Sequence, residues 1–213
     1  MMSGIVKPES LHLQAYHIIK KSIMDGEFKP SERVVESKIA TKLGISRGPV
    51  REAIRMLIQD GLLNYNDGFV RVYQPHVQDV IDLFECRESL ETLAIQLAIK
   101  NISEAEKEQL AVNLKETKEV PDHGVELGQL DQQFHTIIIG ASKNRQLIEL
   151  MDTIKTKIHY MRKSMVGGDF YPEFIEEHEH LYELIREKKE EKAVKFMHAH
   201  IKRALDGVLM HIG

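Results

Sequence analysis

The sequence predicts a mainly α-helical protein in two parts, with one small β-hairpin confined to the first 75 residues. Three observations carry this. Apolar residues recur with a helical period through most of the chain. Strand-like runs occur only on either side of Asn66-Asp67-Gly68, a strong hairpin signal. Beyond Gln74-Pro75-His76 the helical pattern runs to the end, and Pro75 pushes the residue before it to extended geometry, as a linker does. The boundary therefore falls between residues 1–75 and 76–213.

Composition narrows the class. The chain has 213 residues, 42% of them apolar, enough for one large core or two small ones. No run approaches the ~18 apolar residues of a membrane helix. The stretch MMSGIVKPES has no apolar signal-peptide core. The single cysteine, Cys86, excludes an internal disulfide framework and suits a reducing cytoplasm. As a lone thiol it is expected to be a small buried hydrophobe. The net charge of −4 hides an asymmetry: residues 1–75 carry 11 Lys and Arg against 8 Asp and Glu, while the remainder is acidic by 7. A basic first part on an acidic second one suits nucleic-acid contact at one end only.

In the first part, Leu13, Tyr16, Ile19 and Ile23 set a helix over about 10–25, capped by Ser10 and ended at Asp25-Gly26. Phe28-Lys29-Pro30-Ser31 is a turn. A second helix is expected from near Glu32–Val35 to Leu43-Gly44. A third runs from Arg47 to Gln59, with Ser46 as N-cap, Pro49 in its first turn and Asp60-Gly61 as its end. The hairpin follows over 62–72. Helix, helix, turn, helix, hairpin is the order of a winged helix-turn-helix. On the third helix Arg47, Arg51 and Arg55 recur every four residues, with Val50, Ile54, Leu57 and Ile58 opposite. An arginine row at a helix N-terminus suits bidentate contact with guanine edges and with phosphate. Taken alone, the row fits a solvated basic face as well.

These residues also carry a resemblance. Gln14, Tyr16, Ile23, Gly26, Pro30, Leu43, Gly44, Ser46, Arg47, Pro49, Val50, Arg51, Glu52, Ala53 and Gly61-Leu62 resemble the signature of the GntR family of bacterial transcription regulators, over about residues 10–73. The resemblance implies a dimer that contacts double-stranded operator DNA. It assigns the contacts to Arg33, Ser46, Arg47, Arg51 and the wing residue Gly68. Ser31 stands where the family usually has Gly, which should alter only a turn. Gly48 stands where Thr is frequent, which removes a hydroxyl that could bond a phosphate.

In the second part helices are expected at about 77–100, 103–119, 124–140, 144–166, 171–187 and 190–211. Breaks fall at 101–103, 121–124, 140–142 and 167–169, and Arg186–Lys192 reads as a solvated loop. Asn144 is most simply a helix cap. This part holds 9 of the 11 histidines. Leu127, Leu130, Phe134, Ile137 and Ile138 form an apolar stripe, and the i,i+4 pair Asp131/His135 lies within or beside it. His178 shares a face with Phe174, Leu181 and Ile185; His200 shares one with Met197, Ala204 and Val208. His180 and His198 fall elsewhere and read as solvated. An inward carboxylate and three inward imidazoles need partners. One ion satisfies all four, and a helical bundle can build such a site. Separate core histidines, each bonded to a carbonyl, are the competing reading.

Asp131-x-x-x-His135, Glu176-Glu177-His178 and Met197-His198-Ala199-His200, with Arg87-x-x-Leu90-Glu91 nearer the start, resemble the FCD effector domain of the FadR branch of the same family. The resemblance covers about residues 77–211. It implies a divalent transition metal such as zinc or nickel on Asp131, His135, His178 and His200. Its open positions would take a small organic-acid effector. Arg87 and Arg162 are candidate effector-binding cations; a surface or salt-bridged role fits each of them as well. The expectation is a cytoplasmic, metabolite-responsive regulator, a repressor and homodimer with no membrane partner, and not an enzyme. A metal-dependent enzyme and a metal-free dimerisation bundle are the rivals.

Overall fold

The computed structural model describes residues 9–120, 125–166 and 174–212. The predicted breaks at 121–124 and 167–169, and the start of the predicted helix at 171–173, lie outside them. The chain divides into two compact units, Met1–Pro75 and His76–Gly213.

The first unit holds α1 (Leu11–Met24), α2 (Glu36–Leu43), α3 (Arg47–Gln59) and the antiparallel hairpin β1 (Leu63–Asn66) and β2 (Phe69–Val72). α1 buries Ala15, Ile19 and Ile23 against α3, whose inner face is Val50, Ala53, Ile54 and Leu57. Full burial of one such aliphatic side chain is worth ~1.5–3 kcal/mol. Gly44 ends α2 with φ 66, a left-handed C-cap that glycine adopts without a Cβ penalty. Asp67 and Gly68 turn the hairpin with φ 50 and 78, both left-handed, as a two-residue turn matched to strand twist requires. The wing and the three helices are thus in the expected order.

Two local details differ from expectation. α2 begins at Glu36 with Val35 as its N-cap, at the late edge of the expected start near Glu32–Val35. The segment before it is extended and pairs with the wing: Ser31 N–H and Val34 N–H donate to the carbonyls of Val72 and Val70 (3.0 and 2.9 Å), and Val72 N–H donates to Glu32 O (2.9 Å). Ladder bonds made across the chain thereby take the place of helical bonds at Glu32 and Val34. Ser46 and Ser10 occupy N-cap positions, yet neither side chain makes a capping bond.

The second unit is all-helical: α4 (Val77–Asn101), α5 (Glu104–Glu119), α6 (Val125–Ala141), α7 (Arg145–Met161), a π-helical turn (Arg162–Val166), α8 (Phe174–Arg186) and α9 (Glu190–Ile212). The long α4 packs along α9 and also against α6, α7 and α8, while α5 packs on α6 and α8. Asn144 caps α7 as expected, accepting from Leu147 N–H at 3.2 Å. On α6 the inward stripe is Leu127, Leu130, Phe134, Ile138 and Ile139, whereas Ile137 is half-buried. Cys86 is exposed on α4, contrary to the expectation of burial. The inward face of α4 at that level belongs to Phe84 and to the ion pair of Arg87 and Glu91.

Candidate functional site

Three helices deliver the four candidate metal ligands. α6 supplies Asp131 and His135 one turn apart, α8 supplies His178 and α9 supplies His200. All four are buried. One nitrogen from each of His135, His178 and His200 lies within 4.8 Å of the other two. His135 Nε2 and His200 Nε2 are 3.3 Å apart. Asp131 Oδ1 stands 3.8 Å from His135 Nε2 and 3.7 Å from His178 Nε2.

The opposite edges of two rings are already committed. Glu91 on α4 meets His135 Nδ1 in a short contact, and Glu177 on α8 meets His200 Nδ1 at 2.7 Å. An ionised carboxylate only accepts, so each Nδ1 donates its N–H. In a neutral imidazole that leaves the lone pair on Nε2, aimed at the centre. Glu91 is in turn bonded by Arg87 Nε at 2.6 Å, and Glu177 by Arg203 Nε. Burial alone would raise the Glu91 carboxyl, but Arg87 and His135 outweigh it and hold the group well below the usual carboxylate range. His178 is fixed differently: Phe134 stacks on it at 4.0 Å and 8°, and Phe174 meets it edge-on at 5.3 Å.

The result is electrostatically incomplete. Among the described residues, His178 Nε2 is buried and has no hydrogen-bond partner. Burial, with the neighbouring His200 and His135, holds the His178 ring well below its ordinary pKa, and burial also lowers His200. Burial works against the Asp131 anion, yet Arg162 and the nearby imidazoles hold its pKa below the ordinary value. Lone pairs on converging nitrogens, beside a carboxylate oxygen, repel one another unless a proton or a metal cation lies among them. An orphaned buried polar atom costs ~1–3 kcal/mol. Two imidazoles on one ion, with bonds of about 2.0–2.1 Å and tetrahedral angles, place their nitrogens about 3.3 Å apart. The residues present therefore fit a divalent ion that accepts nitrogen and oxygen donors.

Arg162, on the π-helical turn, donates to Asp131 Oδ2 at 3.2 Å. Arg87 is 5% exposed, in the pair with Glu91. Both expected effector cations thus stand at this cluster, each on one of its carboxylates. His180 and His198 are exposed as expected, although His198 Nδ1 pairs with Glu88 at 2.7 Å. Sequence reasoning gave no role to Glu91, Glu177 or Arg203. The available signal was a pair of acids on otherwise apolar helix faces, Glu91 one turn after Arg87 and Glu177 beside His178.

The first unit presents a second candidate site. Arg47, Arg51 and Arg55 lie along the exposed side of α3. Arg47 and Arg51 both hydrogen-bond Glu36 of α2, and Arg55 bonds Glu52 at 3.0 Å. Arg33 lies in the extended segment before α2, bridged to Arg71, and its guanidinium covers the Phe69 ring at 3.6 Å. Gly68 is at the wing tip and Ser46 at the N-terminus of α3. The five expected DNA contacts are thus spread over the start of α3, the hairpin and the strand-like segment beside it.

Comparison with known proteins agrees with both halves. Residues 11–69 match the model of bacterial regulatory proteins of the gntR family, and residues 82–203 match the FCD domain. The chain is 36% identical to the HTH-type transcriptional regulator YdhC of Bacillus subtilis, covering 91% of this chain and 89% of that one. It is 32% identical to the Nta operon transcriptional regulator of Aminobacter aminovorans, over 85% and 87% of the two chains. The HTH-type transcriptional repressor GlaR of Escherichia coli is 24% identical, over 89% and 91%. Among solved structures, McbR/YncC of E. coli superposes with a TM-score of 0.75 at 20% identity, covering 97% of this chain and all of that one. A GntR regulator from Rhodococcus sp. RHA1 gives 0.76 at 23% identity, over 93% and 97%. These families and relatives are transcription regulators and not enzymes, and this chain belongs to the GntR family of bacterial transcription regulators, with an FCD domain as its second half.

Proposed function

We propose that the protein is a dimeric cytoplasmic repressor whose grip on operator DNA is set by a small organic acid at a metal ion. The ion is a divalent transition metal such as zinc or nickel, held by Asp131, His135, His178 and His200. The observation that carries the reading is the buried His178 Nε2, which among the described residues has no hydrogen-bond partner and stands where three imidazoles and a carboxylate converge. The ion would supply positive charge to an effector's carboxylate oxygens, and Arg87 and Arg162 would offset what charge remains. That the relative GlaR is named a repressor supports the sign of control. Among the described residues no helix is long and apolar enough to cross a membrane.

DNA contact falls to Arg33, Ser46, Arg47, Arg51 and Gly68. One short recognition helix reads few base pairs, so a two-fold dimer on inverted half-sites follows. The effector must bind the DNA-competent and incompetent arrangements with different affinity, or nothing switches.

His178→Ala tests the whole reading, because it removes a ligand from a unit that carries no DNA contact. It should weaken metal binding and abolish the acid's effect on DNA, yet leave operator affinity nearly intact. Calorimetry with hydroxy- and dicarboxylic acids, on metal-loaded and chelated protein, accompanies gel-shift titrations. An acid that binds and switches equally well after complete metal removal refutes the mechanism.

A further inference from the structure

We propose that Glu36 is a positioning residue for base reading: its carboxylate grips the side of the Arg51 guanidinium, steadies Arg47, and fixes the donors that both present to DNA. The proposal rests on the reading of α3 as the base-reading helix.

The geometry is specific. Arg51 Nε meets Glu36 Oε1 at 3.3 Å, and Arg51 Nη2 meets Oε2 at 3.2 Å. This is the two-point fork of carboxylate on guanidinium, made along the Nε–Nη2 side. Arg47 Nη2 reaches the same Oε2 at 3.4 Å. A guanidinium has five N–H donors in a fixed plane. With its side occupied, Arg51 still presents its end, Nη1 and the second Nη2 hydrogen, which is the pair that spans guanine O6 and N7. The anchor is also the more buried partner: the Glu36 side chain is 24% exposed, against 64% for Arg47 and 53% for Arg51. The two guanidiniums thus lie further into solvent than the group that holds them. The Arg51 bond keeps the Glu36 carboxyl below its usual range, so the anchor stays charged.

Stability does not explain this arrangement, because exposed ion pairs contribute little. Affinity does not explain it either. A carboxylate beside the DNA-facing arginines repels phosphate and cancels part of their charge. What it provides is discrimination: a held arginine cannot swing to a phosphate when the base is wrong, so a mismatched site loses the contact outright.

The test uses the full chain and a duplex selected by the wild type from a randomised pool. Affinity is measured for that duplex, for each single-base variant of it, and for a random duplex of equal length. Glu36→Gln should bind the random duplex ~3–10-fold more tightly, because one repelling charge is gone. It should lose about tenfold of discrimination at one G·C pair. An unchanged melting temperature shows that the fold is intact. Arg51→Lys, which keeps the charge and removes the fork, should flatten the same position. If Arg51→Lys flattens the profile and Glu36→Gln keeps it, Glu36 positions nothing and the proposal is overturned. If Arg51→Lys also keeps the wild-type profile, Arg51 is not a base reader, and the proposal falls with that reading.

Discussion

Ser31 adopts φ 64, in the left-handed region where an L residue with a Cβ is disfavoured by ~1–2 kcal/mol. Its backbone is held there by bonds on both sides: its N–H donates to Val72 O, and its carbonyl accepts from Arg71 Nη1 at 3.0 Å. The glycine usual at this position in the family thus has a conformational reason, and the serine tolerates strain to keep the wing docked. Ser31→Gly should raise stability by up to ~1 kcal/mol, since relief of the left-handed strain outweighs the added chain entropy. The readout is a higher urea midpoint at unchanged m; an unchanged or lower midpoint contradicts the strain. Gly48 is the reverse case. It sits in the first turn of α3, and a Cβ there would meet nothing within 4 Å, so nothing in the fold excludes the family's Thr. Within the second unit the sharpest single-residue test is Glu91→Gln. The amide cannot hold the His135 Nδ1 proton as an ionised carboxylate does. Metal affinity should fall ~10–100-fold, as for other groups that orient ligating imidazoles. Competition against a chelating dye measures it, and an undiminished affinity would show that Glu91 orients nothing.

Helix α5 shows how one acid can serve an element. Ser103 and Glu106 form a reciprocal cap at its N-terminus: Ser103 N–H donates to Glu106 Oε2 at 2.9 Å, and Glu106 N–H donates to Ser103 Oγ at 3.3 Å. Lys143, from the turn after α6, adds a bond to Glu106 Oε1 at 2.6 Å. Burial alone would raise this carboxyl, but Lys143 and Ser103 outweigh it and bring it down to about 2. A folded pKa below the unfolded value contributes stability above the unfolded pKa and loses it as pH falls through the folded one. Glu106→Gln should therefore cost ~1 kcal/mol at pH 7, because solvent screening at this partly exposed pair leaves only part of the shift as stability, with the difference shrinking as pH drops from about 4.5 towards 2. Urea unfolding of the two proteins across that range checks it, and a pH-independent difference would show that charge plays no part. The Ser103 cap has a plain signal in Ser-x-x-Glu, as Asn144 has in its position after a loop. The start of α2 has none. Glu32–Val34 pairs with β2, a partner some 40 residues away, and no local periodicity records a ladder bond made across that distance. Ser46 misled for a related reason: sequence finds the N-cap position, but whether the hydroxyl turns inward is decided by its rotamer.

At the scale of the molecule, helical period was enough to aim Asp131, His135, His178 and His200 inward, because each helix shows its own face in sequence. What period could not show is how the helices meet. That Glu91 of α4 backs His135 of α6, and Glu177 of α8 backs His200 of α9, depends on packing between elements distant in sequence. The same packing shifts the pH at which the cluster responds. Unperturbed imidazoles would take up protons around pH 6–7. Burial holds His178 and His200 below that, so within the folded unit protons compete for these two nitrogens only at lower pH. The unfolded chain has no such restraint. Below about pH 6.5 its histidines bind protons that the folded His178 and His200 do not, so metal-free stability falls as pH drops from that point to their lowered folded values. Bound metal adds RT ln(1 + [L]/Kd) on top, because the ion needs the folded arrangement of neutral rings. Chelated protein should therefore melt lower at pH 5.5 than at pH 7.5. Metal-loaded protein should melt above it at both. His178→Leu, similar in bulk and unable to titrate, should lose part of the pH dependence and most of the metal increment. Calorimetric melts of the full chain, with and without excess zinc or nickel, measure both effects. A metal increment that survives intact in His178→Leu would place the ion elsewhere, and a wild-type melt unaffected by either metal would leave the converging nitrogens as core histidines alone.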